Sequence, residues 1–275
     1  MGRGSVVARV LVVGLLASFC SGTAARADGV ASTDLGFVRF NYPSNTELVS
    51  YLAPGFTSFS RFGGTGYPSV GDPENVTAHA LDIDGDGRDD IGFLRLRSSA
   101  NAELVAYGAD SDYKFQVFNG NTGYPSIPDP QNVKVIAIDI DGDGRDEIGF
   151  VRLKGHASGK TELVAYSPAS AYKNVALSGA TGYPAVGDPQ NVTPVAIDQD
   201  GDFKQELGFV RVRTTANAEL VTYSPPAYTG IKRYGDTGYP AVSDPQWIRP
   251  IVVDSDTAAG EEIGFLRFNH SSGKT

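Results

Sequence analysis

The sequence predicts an all-β protein, a β-propeller of about four four-stranded blades. Three observations carry this reading. An acidic loop recurs at Asp82, Asp139, Asp198 and Asp254, with spacings of 57, 59 and 56 residues, and a long fixed period marks a repeat architecture. Between the loops lie short runs rich in Val, Ile, Phe and Tyr, bounded by Gly, Pro, Asn and Ser, which is the composition of strands. No segment carries an apolar stripe at helical spacing. Four short strands in a repeat of this length match one propeller blade.

The chain opens with Arg3 and Arg9, an apolar run from Val10 to Phe19, and the small-residue site Ala25-Arg26-Ala27. These are the marks of an export signal over residues 1–27, cut before Asp28, and they predict a secreted protein. Cys20 is the only cysteine and lies inside that segment, so the remainder has no disulfide. Bound metal is another source of rigidity for an exported domain. No other apolar run reaches the ~18–20 residues of a membrane span. The formal charge of −9 becomes more negative once Arg3, Arg9 and Arg26 are removed. That balance disfavours nucleic acid and anionic membrane surfaces as partners.

The repeats fall near 34–75, 76–132, 133–191 and 192–247, with a partial copy at 248–275. Each begins with an apolar run into the acidic loop, such as Val76 to Leu81 or Val133 to Ile138. Next comes Gly-Phe-x-Arg, at Gly36, Gly92, Gly149, Gly208 and Gly264. Glu-Leu-Val follows at Glu47, Glu103, Glu162 and Glu219, and then a fourth run such as Tyr113 to Phe118. The repeat closes on Thr-Gly-Tyr-Pro-x-x-x-Asp-Pro. Near-continuous apolar runs imply sheets buried on both faces. The last first-strand run, Ile248 to Val253, is expected to complete the blade begun by Leu35 to Phe62. Truncation from a longer propeller is the alternative.

The loops carry the chemistry. The first presents Asp82, Asp84, Asp86 and Asp90 at positions one, three, five and nine, with glycines between them. The second repeats this with Asp139, Asp141, Asp143 and Glu147. The third has Asp198, Asp200, Asp202 and Glu206, with Phe203 in place of a glycine. The fourth keeps Asp254, Asp256 and Glu262 but has Ala258 at position five. Oxygen donors spaced this way let a short backbone wrap one hard cation, and Ca²⁺ takes six to eight oxygens at roughly 2.3–2.6 Å. An EF-hand would need flanking helices and Glu at position twelve, where Phe93 and Phe150 stand instead.

The Asp-x-Asp-Gly-Asp-Gly-x-x-Asp loop followed by Ile-Gly-Phe resembles the FG-GAP (VCBS-type) repeat, the blade of integrin-α-like propellers and of some propeller lectins. The resemblance runs from Asp34 to Phe268. It implies Ca²⁺ in the loop joining the first and second strands, held by the carboxylates above and by the position-seven carbonyls of Arg88, Arg145 and Lys204.

Antiparallel strands put alternate loops on opposite faces of the ring. The face away from the cation loops carries Tyr67, Tyr124, Tyr183 and Tyr239 with Asp72, Asp129, Asp188 and Asp244. Aromatic rings beside carboxylates suit sugars, through C–H packing and hydroxyl hydrogen bonds. Trp247 replaces Asn75, Asn132 and Asn191 of the other repeats and marks a candidate pocket. Arg39/Glu47, Arg95/Glu103, Arg152/Glu162 and Arg211/Glu219 read as cross-strand ion pairs. No Gly-x-Ser-x-Gly or His-Glu-x-x-His motif is present, and every prominent feature is repeated. The resulting expectation is a secreted Ca²⁺-stabilised propeller that binds carbohydrate or an extracellular protein without catalysis. A polysaccharide-acting hydrolase or lyase on the same frame, or a segment of a larger adhesin, are the alternatives.

Overall fold

Each repeat folds into a small antiparallel meander. The computed structural model describes residues 15–20, 33–40, 45–51, 57–70, 75–154, 158–253 and 260–268. The first sheet holds β1 (Leu15–Cys20), β2 (Thr33–Arg39), β3 (Glu47–Tyr51) and β4 (Phe59–Gly64). The second holds β5 (Val76–Leu81), β6 (Asp90–Arg95), β7 (Glu103–Tyr107) and β8 (Gln116–Asn121). The third holds β9 (Val133–Ile138), β10 (Glu147–Arg152), β11 (Lys160–Tyr166) and β12 (Val175–Pro184). The fourth holds β13 (Val192–Ile197), β14 (Glu206–Arg211), β15 (Glu219–Tyr223) and β16 (Ile231–Asp236). A two-stranded sheet of β17 (Ile248–Val253) and β18 (Glu262–Arg267) follows. The first strands β1, β5, β9, β13 and β17 neighbour one another in turn, and β1 also lies beside β17. The result is a propeller-like ring of four complete blades with a partial sheet between the fourth and the first. Single 3-10 turns are the only helical elements among the described residues.

The expected closure of the first blade by Ile248–Val253 does not occur. That strand pairs with β18, from Ile248↔Arg267 to Val253↔Glu262. The inner place in the first blade is filled by β1, from Leu15↔Val38 to Cys20↔Thr33. This strand comes from the apolar run read as an export signal, because a short run of Leu, Ala, Phe and Cys pairs readily with an open strand edge. The site Ala25-Arg26-Ala27 lies outside the described residues. A chain cut before Asp28 lacks β1, so the two assignments exclude each other in one mature molecule.

The second strands are the most enclosed. In β6, β10 and β14 the first five residues are buried, and only the terminal Arg is partly exposed. The fourth strands differ from expectation. Along β8 and β16 every residue is at least partly exposed, because the outermost strand of a blade has no sheet beyond it. Its start is also later than the apolar pattern implied. Tyr113 has φ 58° and follows a 3-10 turn at Ala109–Ser111, so β8 begins at Gln116.

One contact joins each blade to the next, from the first blade through to the two-stranded sheet. The Tyr of each Thr-Gly-Tyr-Pro segment inserts into the next sheet. Tyr67, Tyr124 and Tyr183 stack on Phe93, Phe150 and Phe209, with ring centroids 4.0, 3.9 and 4.2 Å apart. Tyr239 stacks on Phe265 of the two-stranded sheet at 4.2 Å. Tyr107, Tyr166 and Tyr223 meet the first three pairs edge-on. Offset and edge-to-face rings contribute about 0.5–1.5 kcal/mol beyond their buried area. The preceding glycine makes the insertion possible. Gly66, Gly123 and Gly182 donate their N–H to the carbonyls of Tyr113, Tyr172 and Tyr228 in the next blade at 2.8, 2.7 and 2.9 Å. A methyl added at Gly123 would stand 2.3 Å from both the Lys173 carbonyl oxygen and Tyr166 Cε1. Backbone cannot yield there as a flexible side chain can.

In register, Arg39, Arg95, Arg152 and Arg211 do face Glu47, Glu103, Glu162 and Glu219. Ion pairs form between Arg39 and Glu47 at 3.7 Å and between Arg152 and Glu162 at 3.4 Å. In the other two blades Arg97 and Arg213 take the glutamates. They lie two residues further on, hence on the same side of the chain. Arg211 turns to Asp188 at 2.8 Å.

The inter-blade contact sets a stability test. Gly123→Ala is expected to lower stability by about 1–3 kcal/mol through overpacking. Tyr124→Ala is expected to cost on the order of 3 kcal/mol through the cavity it leaves. Urea unfolding measures both, and a Gly123→Ala midpoint equal to that of the wild type would show that the interface is not closely packed.

Candidate functional site

The acidic loops join the first two strands of blades two to four, and each folds around its own first carboxylate. Asp82 accepts from the N–H groups of Gly85 and Gly87 at 2.7 and 2.8 Å. Asp139 does the same with Gly142 and Gly144 at 2.7 and 2.9 Å. Asp198 accepts from Gly201, Asp202 and Phe203 at 2.8, 3.2 and 3.0 Å. Both glycines in the first two loops have φ near +80°, a region open to glycine without strain. Phe203 adopts the same turn at φ 67°, so the substitution read from sequence leaves the loop shape intact and sets the ring out in solvent.

Three carboxylate groups result. Asp82, Asp84 and Asp86 each bring one oxygen within 4.8 Å of the others. Asp139, Asp141 and Glu147 do so in the second loop, and Asp198, Asp200 and Glu206 in the third. The ninth position explains the difference in membership. Glu147 and Glu206 reach back to accept from the N–H of Ile140 and Gln199 at 3.1 and 3.0 Å. Asp90, one methylene shorter, accepts instead from Ala109 at 3.0 Å. Its Oδ2 is buried without a partner. Asp143 and Asp202 stay outside the groups and accept from the position-seven N–H groups of Arg145 and Lys204 at 2.9 and 3.0 Å. Arg88 donates likewise to Asp86 at 2.8 Å. Asp254 and Asp256 lie outside the described residues, and Glu262 begins β18.

Electrostatics separates the loops. Burial pushes Asp82 and Asp139 upward, with neighbouring carboxylates adding to the shift. Burial raises Asp90 to about 6 and Glu147 to about 7, again with like charges beside them. Crowded, half-desolvated carboxylates are costly unless a cation neutralises them. All donors are hard oxygens, so the set fits Ca²⁺ better than a soft metal. The third loop already has a cation. Lys232, on β16, places Nζ 2.5 Å from Asp200 Oδ2 and 2.6 Å from Glu206 Oε1. Asp200 is correspondingly lowered by its hydrogen bond to Lys232. Desolvation pulls Lys232 down, but its two acidic partners outweigh this and raise it. Sequence spacing did not reveal Lys232, which lies 26 residues beyond Glu206. The available signal was a lone Lys where the other blades have Ser60, Val117 and Ala176 at the matching ladder position.

The loops also clamp adjacent blades. Asp146 N–H donates to the Asp82 carbonyl at 2.8 Å, while the Asp82 N–H donates to Asp146 Oδ2 at 2.7 Å. Gln205 and Asp139 exchange the same two bonds at 3.2 and 2.9 Å. Glu261 and Asp198 do so at 2.7 Å for both. Arg145 Nε reaches the Ile83 carbonyl of the preceding loop at 2.9 Å.

The expected sugar platform is not there. Tyr67, Tyr124 and Tyr183 are 3–6% exposed, and each lies against a Phe, so no ring face is open to a sugar. They fill the blade interfaces together with Tyr107, Tyr166 and Tyr223. Asp188 is taken by Arg211 and, at 3.3 Å, by Asn191. Asp129 is taken by Asn132. Asp244 accepts from Ser243 at 2.7 Å, since Trp247 stands where the capping Asn would be. Trp247 itself is 42% exposed, and Asp72 lies outside the described residues. A cleft of about 300 Å³ does open at the end of blade two opposite its acidic loop, lined by Asn75, Arg95, Arg97, Ser98, Ser99 and Pro130 among others.

No family model matches the chain, and no curated protein matches it. The FG-GAP resemblance therefore rests on the loops alone. Among solved structures, the fold is similar to the Aleuria aurantia lectin in complex with Fucα1-6GlcNAc, at 13% identity, covering 91% of this chain and 78% of that one, with a TM-score of 0.45. It is similar to an Agrocybe aegerita lectin that recognises non-reducing terminal N-acetylglucosamine, at 12% identity, 92% and 75% coverage, and TM-score 0.41. An exo-β-1,3-galactanase from Clostridium thermocellum aligns at 11% identity, 88% and 58% coverage, and TM-score 0.44. These likenesses carry nothing about ligand or chemistry; the propeller assignment stands on the strand order.

The second loop gives a test whose sign depends on metal. Glu147→Gln removes a buried charge but keeps an acceptor for the Ile140 N–H. In chelator the variant is expected to melt at or above the wild-type temperature. In 10 mM calcium it is expected to melt lower, by the linkage loss of about 1–3 kcal/mol for one site. Thermal melts in both buffers decide, and a variant that is less stable in both assigns Glu147 a purely structural role.

Proposed function

We propose that this chain is an exported, calcium-stabilised β-propeller that serves as a non-enzymatic binding module for carbohydrate. The observation that carries the calcium reading is the buried, unpartnered Asp90 Oδ2 beside the Asp82, Asp84 and Asp86 group. A buried carboxylate oxygen with no donor is destabilising by about 1–3 kcal/mol or more, and a divalent ion at that loop removes the deficit. The second loop repeats the carboxylate set with Glu147 as its buried member. Calcium here is structural: it neutralises loops that are bonded directly to the neighbouring blade.

The carbohydrate reading rests on the cleft beside Arg97. Its serine hydroxyls, and the N–H groups of Arg97 beyond the one given to Glu103, offer donors for sugar hydroxyls. Export is supported by the arginine-apolar-small residue order at the start of the chain, and under this reading the mature first blade opens on β2, without β1. The binding rather than catalytic role is supported by repetition, because the acidic groups recur in phase and repetition favours scaffold or multivalent binding.

A glycan array probed with the calcium-loaded protein tests this. Saturable binding is expected, reduced at least tenfold by Arg97→Ala together with Ser98→Ala, and unchanged by Trp247→Ala. Signal lost only with Trp247→Ala would move the ligand to the other pocket candidate. No glycan signal alongside capture of a purified extracellular matrix protein would favour a protein ligand.

A further inference from the structure

The third and fourth strands of each blade share one irregularity. The ladder shifts between Ser50 and Tyr51, Ala106 and Tyr107, Ala165 and Tyr166, and Thr222 and Tyr223. At each shift the fourth strand carries one extra residue: Ser60, Val117, Ala176 or Lys232. A bulge re-aims its side chain out of the regular ladder. In blade two it sits near the acidic loop. A methyl built on Gly108 would stand 2.7 Å from Val117 Cγ1 and 3.8 Å from Asp90 Oδ1, so the bulge residue and the ninth-position carboxylate are neighbours. In blade four the same position puts an ammonium onto Asp200 and Glu206 at 2.5 and 2.6 Å. Glu206 has its other oxygen on the Gln199 N–H, and its side chain is 1% exposed.

We propose that Lys232 is a built-in cation that occupies the third loop in place of a metal ion, and that the bulge position of blades two to four decides whether each loop takes calcium. The proposal rests on the calcium reading of the first two loops. Val117 and Ala176 bring no charge, so their loops stay open to an ion. Lys232 engages two of the three clustered carboxylates, occupying oxygens an ion would need and weakening the loop's pull on a divalent ion.

The experiment is calcium titration of the full protein after chelator treatment, with stoichiometry read by equilibrium dialysis and folding checked by circular dichroism. Lys232→Val is expected to bind one more equivalent than the wild type, and Val117→Lys one fewer. Asp200→Asn in the otherwise unchanged chain is expected to leave the stoichiometry as it was. If the wild type binds calcium and Lys232→Val gains none, or if Asp200→Asn loses an equivalent, the role of Lys232 is overturned while the calcium reading stands. If neither wild type nor Lys232→Val binds calcium, both fall.

Discussion

The structure depends on the insertion of one Gly-Tyr pair per blade into the next blade. Each sheet alone has four short strands and an exposed outer one, too little to bury a core by itself. The stacked Tyr–Phe pair, the crossing Tyr and the glycine N–H bond turn separate sheets into one ring. The glycine is required by distance, since a side chain would meet a carbonyl and a ring at once. The tyrosine is required by shape, since a flat ring fills the gap and leaves its neighbours packed on both sides.

The acidic loops are tied into that same contact. Tyr172 has a left-handed backbone, φ 59°, and is fully buried. Its hydroxyl donates to the Asp146 carbonyl at 3.3 Å, within the second acidic loop. Its own carbonyl accepts from Gly123 of the preceding blade at 2.7 Å. Tyr113 and Tyr228 repeat the hydroxyl contact with Asp89 and Gln205 at 3.3 and 3.1 Å. A loop that changes shape therefore moves the residue that holds the previous blade. Neutralising its carboxylates acts on the ring, beyond the loop itself. An internal lysine and a bound ion are two physical solutions to one problem, the placement of several negative charges in a partly dry turn.

Much of the fold was legible because repetition amplifies weak signals. Val76 to Leu81 and Val133 to Ile138 form strands with the bounds their apolar runs implied, and the loops fold around Asp82 and Asp139 as their spacing required. Where the reading went astray, the missing information was environmental. Gly-Tyr-Pro looks the same in sequence whether its ring faces solvent or a Phe of the next blade. Arg95 and Arg97 are both in reach of Glu103, and only packing selects between them. The apolar run at Leu15–Cys20 fits an export signal and a strand equally well by composition.

Local chemistry, written in the order of residues, determined the strands, the turns and the oxygen-rich loops, because each depends on neighbours within a few positions. The tertiary structure alone decided which rings are buried, which carboxylates gather and which cation meets them. Those outcomes depend on residues brought together from distant points, as Lys232 is to Asp200 and Tyr124 to Phe150, and no local pattern encodes that distance.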